Sequence, residues 1–287
     1  MPLTNDPCPS LRLRLLALLA ALVFSTAASA QTAGGKPLWE LGVVAGGGYL
    51  PDYPASDEYH GRAIALPLII YRGDILRADE KGLVRGRIVR TRDLELDVSL
   101  NGSFAADSDK NDARRGMPDL DWLGEIGPRL QITLARAARD AKIDLELPVR
   151  AAFSTDLAGV DYRGLVFAPR LAYQNENFLG PGTAVKLSFG PVFASGRLMD
   201  YFYEVEPRFA TAARSAYEAR GGYFGSRLEL AATRRLGRRV RLFALLRGEN
   251  HDGAANDRSP LFRTRTTLSF GLGVAWSMFQ SSRRVDE

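Results

Sequence analysis

The stretch LELDVSLNGSF, from Leu94 to Phe104, has the clearest alternating pattern in this chain. Its apolar residues alternate with polar ones, among them Glu95, Asp97 and Ser99. Because side chains of a β-strand point alternately to opposite faces, the stretch predicts a strand with one apolar and one polar face. Two settings suit such a strand: a soluble sandwich with the apolar face on its core, or a membrane barrel with that face in lipid.

Strand patterns continue through the rest of the chain after residue 38. We predict twelve strands, and bacterial outer-membrane barrels have an even number. The predicted ranges are 39–49, 62–72, 74–80, 83–90, 93–104, 123–136, 141–153, 164–174, 183–194, 217–234, 238–250 and 264–278.

The connections between these strands differ in length according to the side they face. If the first strand starts in the periplasm, the outward connections are long, apart from 81–82, and the inward ones are short. This asymmetry is typical of outer-membrane barrels, whereas a sandwich has no reason to produce it. The outward connections are 50–61, 81–82, 105–122, 154–163, 195–216 and 251–263, and the inward ones are 73, 91–92, 137–140, 175–182 and 235–237.

Aromatic and charged residues favour the barrel as well. Aromatic side chains near strand ends suit the two membrane interfaces, and the polar strand faces carry charges that a packed core would accept only at a large desolvation cost. We therefore predict an all-β fold: a transmembrane antiparallel up-and-down β-barrel of about 12 strands in a single domain, with Leu94 facing lipid. A secreted β-sandwich remains the alternative, and no repeat of fixed period indicates a propeller. The aromatic residues concerned are Trp39, Tyr49, Tyr71, Trp122, Phe153, Tyr162, Tyr173 and Trp276.

The first thirty residues have the pattern of a secretory signal peptide. Arg12 and Arg14 precede the apolar run LLALLAALVF, and the sequence Ala28-Ser29-Ala30 provides a cleavage site. The apolar run is short of the roughly 20 residues that a membrane-spanning helix needs. We predict a cleaved signal peptide at 1–30, a short segment at 31–38, a barrel at 39–279 in the outer membrane of a Gram-negative bacterium, and a C-terminal tail at 280–287.

Composition excludes some classes of partner and of stabilisation. Cys8 is the only cysteine, so the mature chain would have no disulfide and would depend on its fold alone for stability. Removal of residues 1–30 takes away Arg12, Arg14 and Asp6, which lowers the formal net charge from +5 to +4. This small excess, without a long basic run, argues against nucleic acid as a partner.

Charged side chains on the polar strand faces would line the barrel interior. They could brace the closed barrel as ion pairs, because buried charges normally pair, or they could form a narrow pore whose arginines favour anionic solutes. The predicted interior charges are Glu95, Asp97, Arg129, Asp144, Glu146, Arg150, Arg170, Lys186, Arg227, Glu229, Arg241, Arg247 and Glu249.

Catalytic chemistry has little support in the sequence. The two histidines, His60 and His251, fall in predicted external loops, where an Asp–His pair could activate water if loops 50–61 and 251–263 met. The plainer interpretation is that both are solvated loop residues. No nucleophile elbow, metal-ligand spacing or dinucleotide motif occurs, so we predict no enzyme, no catalytic residue, no metal and no cofactor.

A set of short motifs occurs in order along the mature chain. They are WELG at 39–42 with the glycines at 46–48, PDYPASDEY at 51–59, LPLIIYR at 66–72, Gly127-Pro128, Gly190-Pro191, MDYFYEV at 199–205, YEARGG at 217–222 and NDRSPL at 256–261. Together they resemble the MltA-interacting protein (MipA/OmpV) family of proteobacterial outer-membrane proteins. The resemblance covers essentially the whole mature chain.

This resemblance implies a 12-stranded outer-membrane barrel in contact with outer-membrane lipid. It also implies a structural scaffold that holds a lytic transglycosylase and a peptidoglycan synthase together during cell-wall growth. Other family members are described as porin-like, which implies a small-solute channel as the alternative. The tail after Phe279 (QSSRRVDE) is a candidate docking element for a partner enzyme.

Overall fold

The computed structural model describes residues 36–72, 76–79, 82–86 and 89–285. The predicted signal peptide at 1–30 lies outside these residues, as do the predicted turn at residue 73 and Lys81 of the predicted connection 81–82.

The described chain consists mostly of strands. The first six are β1 (Lys36–Pro37), β2 (Trp39–Pro51), β3 (Tyr59–Arg72), β4 (Leu76–Asp79), β5 (Gly82–Gly86) and β6 (Val89–Arg90). The next five are β7 (Leu94–Ser103), β8 (Trp122–Ala138), β9 (Ala141–Thr155), β10 (Val160–Phe167) and β11 (Arg170–Asn175). The last five are β12 (Thr183–Ala194), β13 (Gly222–Leu236), β14 (Val240–Asn250), β15 (Thr266–Gln280) and β16 (Arg284–Val285).

The strands form an antiparallel up-and-down barrel. Neighbouring strands pair from β2 to β5 and from β6 to β15, with β10 and β11 together occupying the place between β9 and β12. Strand β15 pairs with β2 from Phe270–Tyr49 to Gln280–Glu40, so the last long strand joins the first. Closure of this kind pairs backbone groups that hydrocarbon could not satisfy. The fold is therefore the predicted all-β transmembrane barrel rather than a sandwich.

Two regions differ from the predicted strand ranges. The predicted strand 164–174 is interrupted at Ala168-Pro169 and becomes β10 and β11, which both pair with β9 and β12. A proline has no N–H to donate to the ladder, which explains the break. The predicted strands 74–80 and 83–90 contain β4, β5 and β6. Because parts of this region lie outside the described residues, the total of about twelve strands stays a prediction.

The two faces of the barrel wall differ in polarity. In β7, Leu94 is exposed on the outer face, whereas Asp97 and Ser99 are buried on the inner face. Large apolar side chains are exposed on the outer face of the other strands too, as with Ile69 and Phe189. The opening stretch thus has its leucines toward lipid and its carboxylates toward the interior.

The two ends of the barrel also differ. Three connections at one end are long, at 104–121, 195–221 and 251–265, whereas the described connections at the other end have at most seven residues. Since outer-membrane barrels have short periplasmic turns, the short-turn end faces the periplasm. At this end β1 and β16 form a two-stranded antiparallel ribbon, which ties the two described ends of the chain together.

The long connection predicted at 195–216 contains a helix that the strand-based prediction missed. Helix α1 (Gly196–Tyr203) buries Leu198, Met199, Phe202 and Tyr203, whose spacing places them on one side of a helix. The strand predicted to begin at 217 begins at Gly222 instead. Within the part of the chain that the structure describes, no helix is long and apolar enough to span a membrane.

Substitution of Gly42 tests the pairing of β2 with β15 that closes the barrel. A Cβ atom at Gly42 would lie 1.8 Å from the backbone oxygen of Trp276 in β15, so Gly42→Ala forces the first and last long strands apart. We expect the free energy of unfolding to fall by about 1–3 kcal/mol, measured by urea unfolding of the folded barrel in detergent.

Gly248→Ala is the matched control, because a Cβ atom at Gly248 in β14 would have no heavy atom within 4 Å. Its free energy of unfolding should change by less than about 1 kcal/mol, in the stabilising direction. Equal effects of the two substitutions would contradict a close approach at the β2–β15 seam.

Candidate functional site in the barrel interior

Opposite charges meet on the inner face because the sheet register sets them against each other. Asp97 of β7 lies directly opposite Arg129 of β8. The guanidinium binds both carboxylate oxygens, with Nε–Oδ1 at 2.9 Å and Nη2–Oδ2 at 2.5 Å. Such a bidentate pair is strong and fixes the orientation of both side chains.

Glu146 of β9 is the centre of the largest charge cluster. Its carboxylate is fully buried and lies 2.5 Å from Lys186 Nζ and 2.6 Å from Arg170 Nε. Arg129 Nη1 lies 3.8 Å away, which connects this cluster to Asp97. A buried carboxylate is tolerated only when cations and hydrogen bonds replace its hydration, and here three cations surround it.

Strands β13 and β14 carry two ion pairs of opposite polarity. Arg227 lies opposite Glu249 with Nε–Oε1 at 2.8 Å, and Glu229 lies opposite Arg247 with Nε–Oε2 at 2.9 Å. A slip of two residues would keep the faces but set Arg227 against Arg247, or Glu229 against Glu249. Because like charges directly opposite each other destabilise a sheet, these pairs select one register.

The other predicted interior charges lie on the same face. Arg150 binds Glu125 with Nε–Oε2 at 2.7 Å, and Asp144 lies 2.9 Å from Lys142 Nζ. Glu95 and Arg241 are half-buried, and both have partners.

The interior charges missing from the predicted set include Glu40, Glu125 and Lys142. Glu125 and Lys142 share the inner face with their neighbours Arg129 and Asp144, so the two-residue period already contained the signal for both.

The part of the barrel wall formed by β2, β3 and β15 carries fewer charged side chains on its inner face than the strands described above. Where β2 and β15 meet, the inner positions of both strands hold glycines, such as Gly46 and Gly273. In β3 the same face carries aliphatic side chains, among them Ile64 and Ile70. The interior thus has one charged side and one side of small and apolar residues.

The outer end of the barrel is filled by its own connections, which we call the loop cap: residues 52–58, 104–121, 195–221 and 251–265. Hydrogen bonds connect these segments to α1. Tyr203 Oη donates to Pro54 O at 3.0 Å, and Ser259 Oγ donates to Tyr203 O at 2.7 Å. Arg114 Nη1 donates to Phe202 O at 3.4 Å. A hydrophobic cluster lies beneath them. It contains Tyr53, Ala106, Leu120, Leu123, Ala152, Val166, Ala168, Val192, Ala194, Leu198, Met199, Phe202, Tyr203, Val205, Phe224 and Leu261.

Burial in the loop cap shifts the pKa values of several of its side chains. Burial raises the pKa of Tyr53 and of Tyr203, which keeps both phenols neutral. Burial also lowers the pKa of the Arg114 guanidinium, whose side chain lies over the ring of Tyr53. On the surface of the cap, burial and the charge of Glu218 raise the pKa of Asp200. The interior of the cap therefore combines neutral tyrosines with a few buried charged groups such as Arg114 and Asp52.

The structure corrects the prediction for His60. This residue lies in β3 rather than in an external loop, and its Nδ1 is 2.7 Å from Asp52 Oδ1. Arg62 and Asn111 bind the same carboxylate, at 2.8 Å and 2.9 Å. Asp52 thus joins β3 to the loop cap, and its oxygens are already engaged.

The prediction that His251 is solvated is also wrong. His251 is only 3% exposed, and its Nδ1 donates to the carbonyl oxygen of Phe224 at 2.9 Å. Loops 50–61 and 251–263 do meet, through the N–H groups of Arg263 and Thr264 on Ala55 O. The partner of His251 is nevertheless a backbone carbonyl and not a carboxylate. Among the described residues, no group of three or more His, Cys, Asp or Glu could hold a metal ion.

A comparison with protein families finds one match that spans most of the chain. The family model described as "MltA-interacting protein MipA" matches residues 43–278. No curated protein matches the chain significantly.

Solved structures with a similar arrangement include outer-membrane barrels of low identity. The NanC porin is 9% identical to this chain with a TM-score of 0.39, and the match covers 82% of this chain and 100% of the porin. An outer membrane channel from Pseudomonas putida F1 is 11% identical with a TM-score of 0.46, covering 87% and 99%. Outer membrane phospholipase A from Escherichia coli is 11% identical with a TM-score of 0.32, covering 84% and 93%. At such values none of the three bears on the function of this chain.

Glu146→Gln tests the buried charge cluster. The substitution leaves Lys186 and Arg170 without their counter-charge, and breaking a buried pair in this way costs about 3–5 kcal/mol. We expect a loss of that size in the free energy of unfolding, measured by urea unfolding in detergent.

Asp93→Asn is the control at the barrel end. Asp93 pairs with Arg136 at 2.6 Å, but both side chains are about half exposed. Exposed pairs contribute no more than about 1 kcal/mol. A Glu146→Gln protein as stable as the Asp93→Asn protein would show that the cluster contributes little to the stability of the barrel.

Proposed function

Because the chain belongs to the MltA-interacting protein MipA family, we propose that this outer-membrane β-barrel is a structural scaffold with no catalytic activity of its own. Its role would be to hold a lytic transglycosylase, together with a peptidoglycan synthase, at the outer membrane. Contact with the surrounding lipid is a property of the barrel itself. The binding of either enzyme is the proposed part.

One observation carries this proposal: the barrel interior is occupied. Asp97, Asp144 and Glu146 have no exposed surface, and the loop cap fills the outer end with α1 and the hydrophobic cluster. A solute pore needs a continuous watery path, whereas an anchor for other proteins needs a rigid wall. We propose that the thirteen predicted interior charges brace this wall.

The proposal also assigns roles to the two ends of the chain. Export would use a signal peptide cleaved after Ala30, followed by a short segment at 31–38, the barrel at 39–279 and the tail at 280–287. In the structure, residues of this tail pair with the segment before the barrel, with Lys36 opposite Val285. The ribbon that results lies at the periplasmic end, where cell-wall enzymes work.

A small-solute channel is the second candidate. The side chains of Lys186, Arg170 and Arg247 remain 20–27% exposed inside the barrel, so some water-accessible space lies beside these cations. Such a cationic strip would favour anions if a path past the loop cap opened.

Conductance separates the two candidates. We expect the purified, refolded protein to be electrically silent in planar bilayers, because the interior charges are paired and the loop cap is packed. A folded state is confirmed by heat modifiability on gels. Steady, anion-preferring steps that Arg170→Ala weakens would contradict the bracing role and favour the channel.

Direct binding tests the scaffold. We expect the full-length barrel to bind a purified lytic transglycosylase of the same organism, and removal of residues 281–287 to weaken this binding because the β1–β16 ribbon is lost. Arg258→Ala, an exposed change in the loop cap, is the control at the other end and should bind as the natural chain does. A full-length barrel that binds no transglycosylase would contradict the scaffold.

A further inference from the structure

The periplasmic turn between β13 and β14 is unusually basic. Residues 234–239 read RRLGRR, and Arg235, Arg238 and Arg239 are exposed. Arginine is well suited to bind carboxylate or phosphate, because its planar guanidinium can donate two parallel hydrogen bonds.

A crevice lies beside this turn. It is lined by Arg235, Arg238, Arg239 and Arg241 together with Glu40 and Ser277. Four arginines and one glutamate therefore contribute to its lining. That glutamate, Glu40, is buried, and its carboxylate accepts hydrogen bonds from Ser277 Oγ and from Gln280 Nε2. The crevice has an excess of positive charge.

The terminal ribbon extends the basic surface. Gln280 Nε2 donates to Arg238 O at 3.0 Å, which holds the C-terminal segment against the turn. Leu38 N donates to Arg283 O at 2.8 Å, and Arg283 and Arg284 are both exposed. The turn and the ribbon thus form one patch, which we call the arginine platform: Arg235, Arg238, Arg239, Arg241, Arg283 and Arg284.

Strand periodicity shows which way the crevice opens. Ser277 and Glu40 are buried inner positions of β15 and β2, and Arg241 follows the inner period of β14 with Arg247 and Glu249. The outer positions beside them carry Trp39 and Trp276, which are exposed toward lipid. The crevice therefore opens at the periplasmic mouth of the barrel and not on its lipid-facing side.

We infer that the arginine platform binds the carboxylate-bearing peptide side chains of the cell-wall polymer, and so attaches the barrel directly to peptidoglycan. A periplasmic ligand of this surface must present hydrated anionic groups, and a polymer with repeated carboxylates engages several arginines at once. Multivalent contact of this kind compensates for the weakness of each exposed ion pair. The inference does not depend on the proposed binding of a transglycosylase.

The test is co-sedimentation of the purified full-length barrel, in a zwitterionic detergent, with purified insoluble peptidoglycan. We expect saturable binding that weakens with added salt, and binding about tenfold weaker for Arg238→Glu/Arg239→Glu, because two attractive contacts become repulsive. Amidation of the peptide carboxylates of the peptidoglycan should abolish binding of the natural chain.

Arg220→Glu/Arg258→Glu is the matched control, since it makes the same change of charge on exposed residues of the loop cap. It should bind as the natural chain does, and both double variants should keep heat modifiability. Equal binding by the natural chain and Arg238→Glu/Arg239→Glu would overturn the inference, as would equal losses in both double variants. Binding to anionic phosphatidylglycerol vesicles but not to peptidoglycan would overturn it in favour of a lipid headgroup.

Discussion

Backbone pairing between β2 and β15 is the constraint on which the rest of this structure depends. In hydrocarbon an unpaired N–H or carbonyl costs several kcal/mol, so a sheet with open edges is not a stable membrane structure. Closure requires the two strands to approach closely, and glycines at Gly42, Gly46 and Gly48 leave room for the backbone of β15. The glycine-rich wall inside the barrel is a consequence of this seam.

The interior charges determine the register in which neighbouring strands pair. An up-and-down barrel has the same two-faced pattern in every strand, so the pattern alone would allow slips of two residues. Pairs such as Arg227–Glu249 and Glu229–Arg247 remove this freedom because a slip opposes like charges. A buried ion pair adds little net stability, but losing one partner is costly. The interior charges therefore specify register more than they add stability.

The two ends of the barrel differ in structure and in charge. The outer end is closed by α1 and the loops around it, whose neutral tyrosines and phenylalanines form the main hydrophobic core. The periplasmic end has short turns, an exposed set of arginines and a ribbon made by the ends of the described chain. The filled outer end and the basic periplasmic end are the two features on which the proposed attachment rests.

Much of the fold could be predicted from the periodicity of the sequence. An alternation of two residues, as in Leu94–Phe104, assigns each side chain to one of the two faces of its strand. The difference in length between outward and inward connections then favoured a barrel over a sandwich. The alternation already placed Glu125 and Lys142 inside. The seam between β2 and β15 and the break at Pro169 depended on details of pairing that a face pattern does not contain.

The sequence by itself determined which face of each strand is apolar, because the direction of a side chain in a strand depends only on local geometry. Only the tertiary structure decided which charges pair, since Glu146 meets Lys186 and Arg170 from strands distant in sequence. It also decided that His60 binds Asp52 and that His251 is buried. Those features arise where four long segments pack together, and contacts between distant segments leave no periodic signal along the chain.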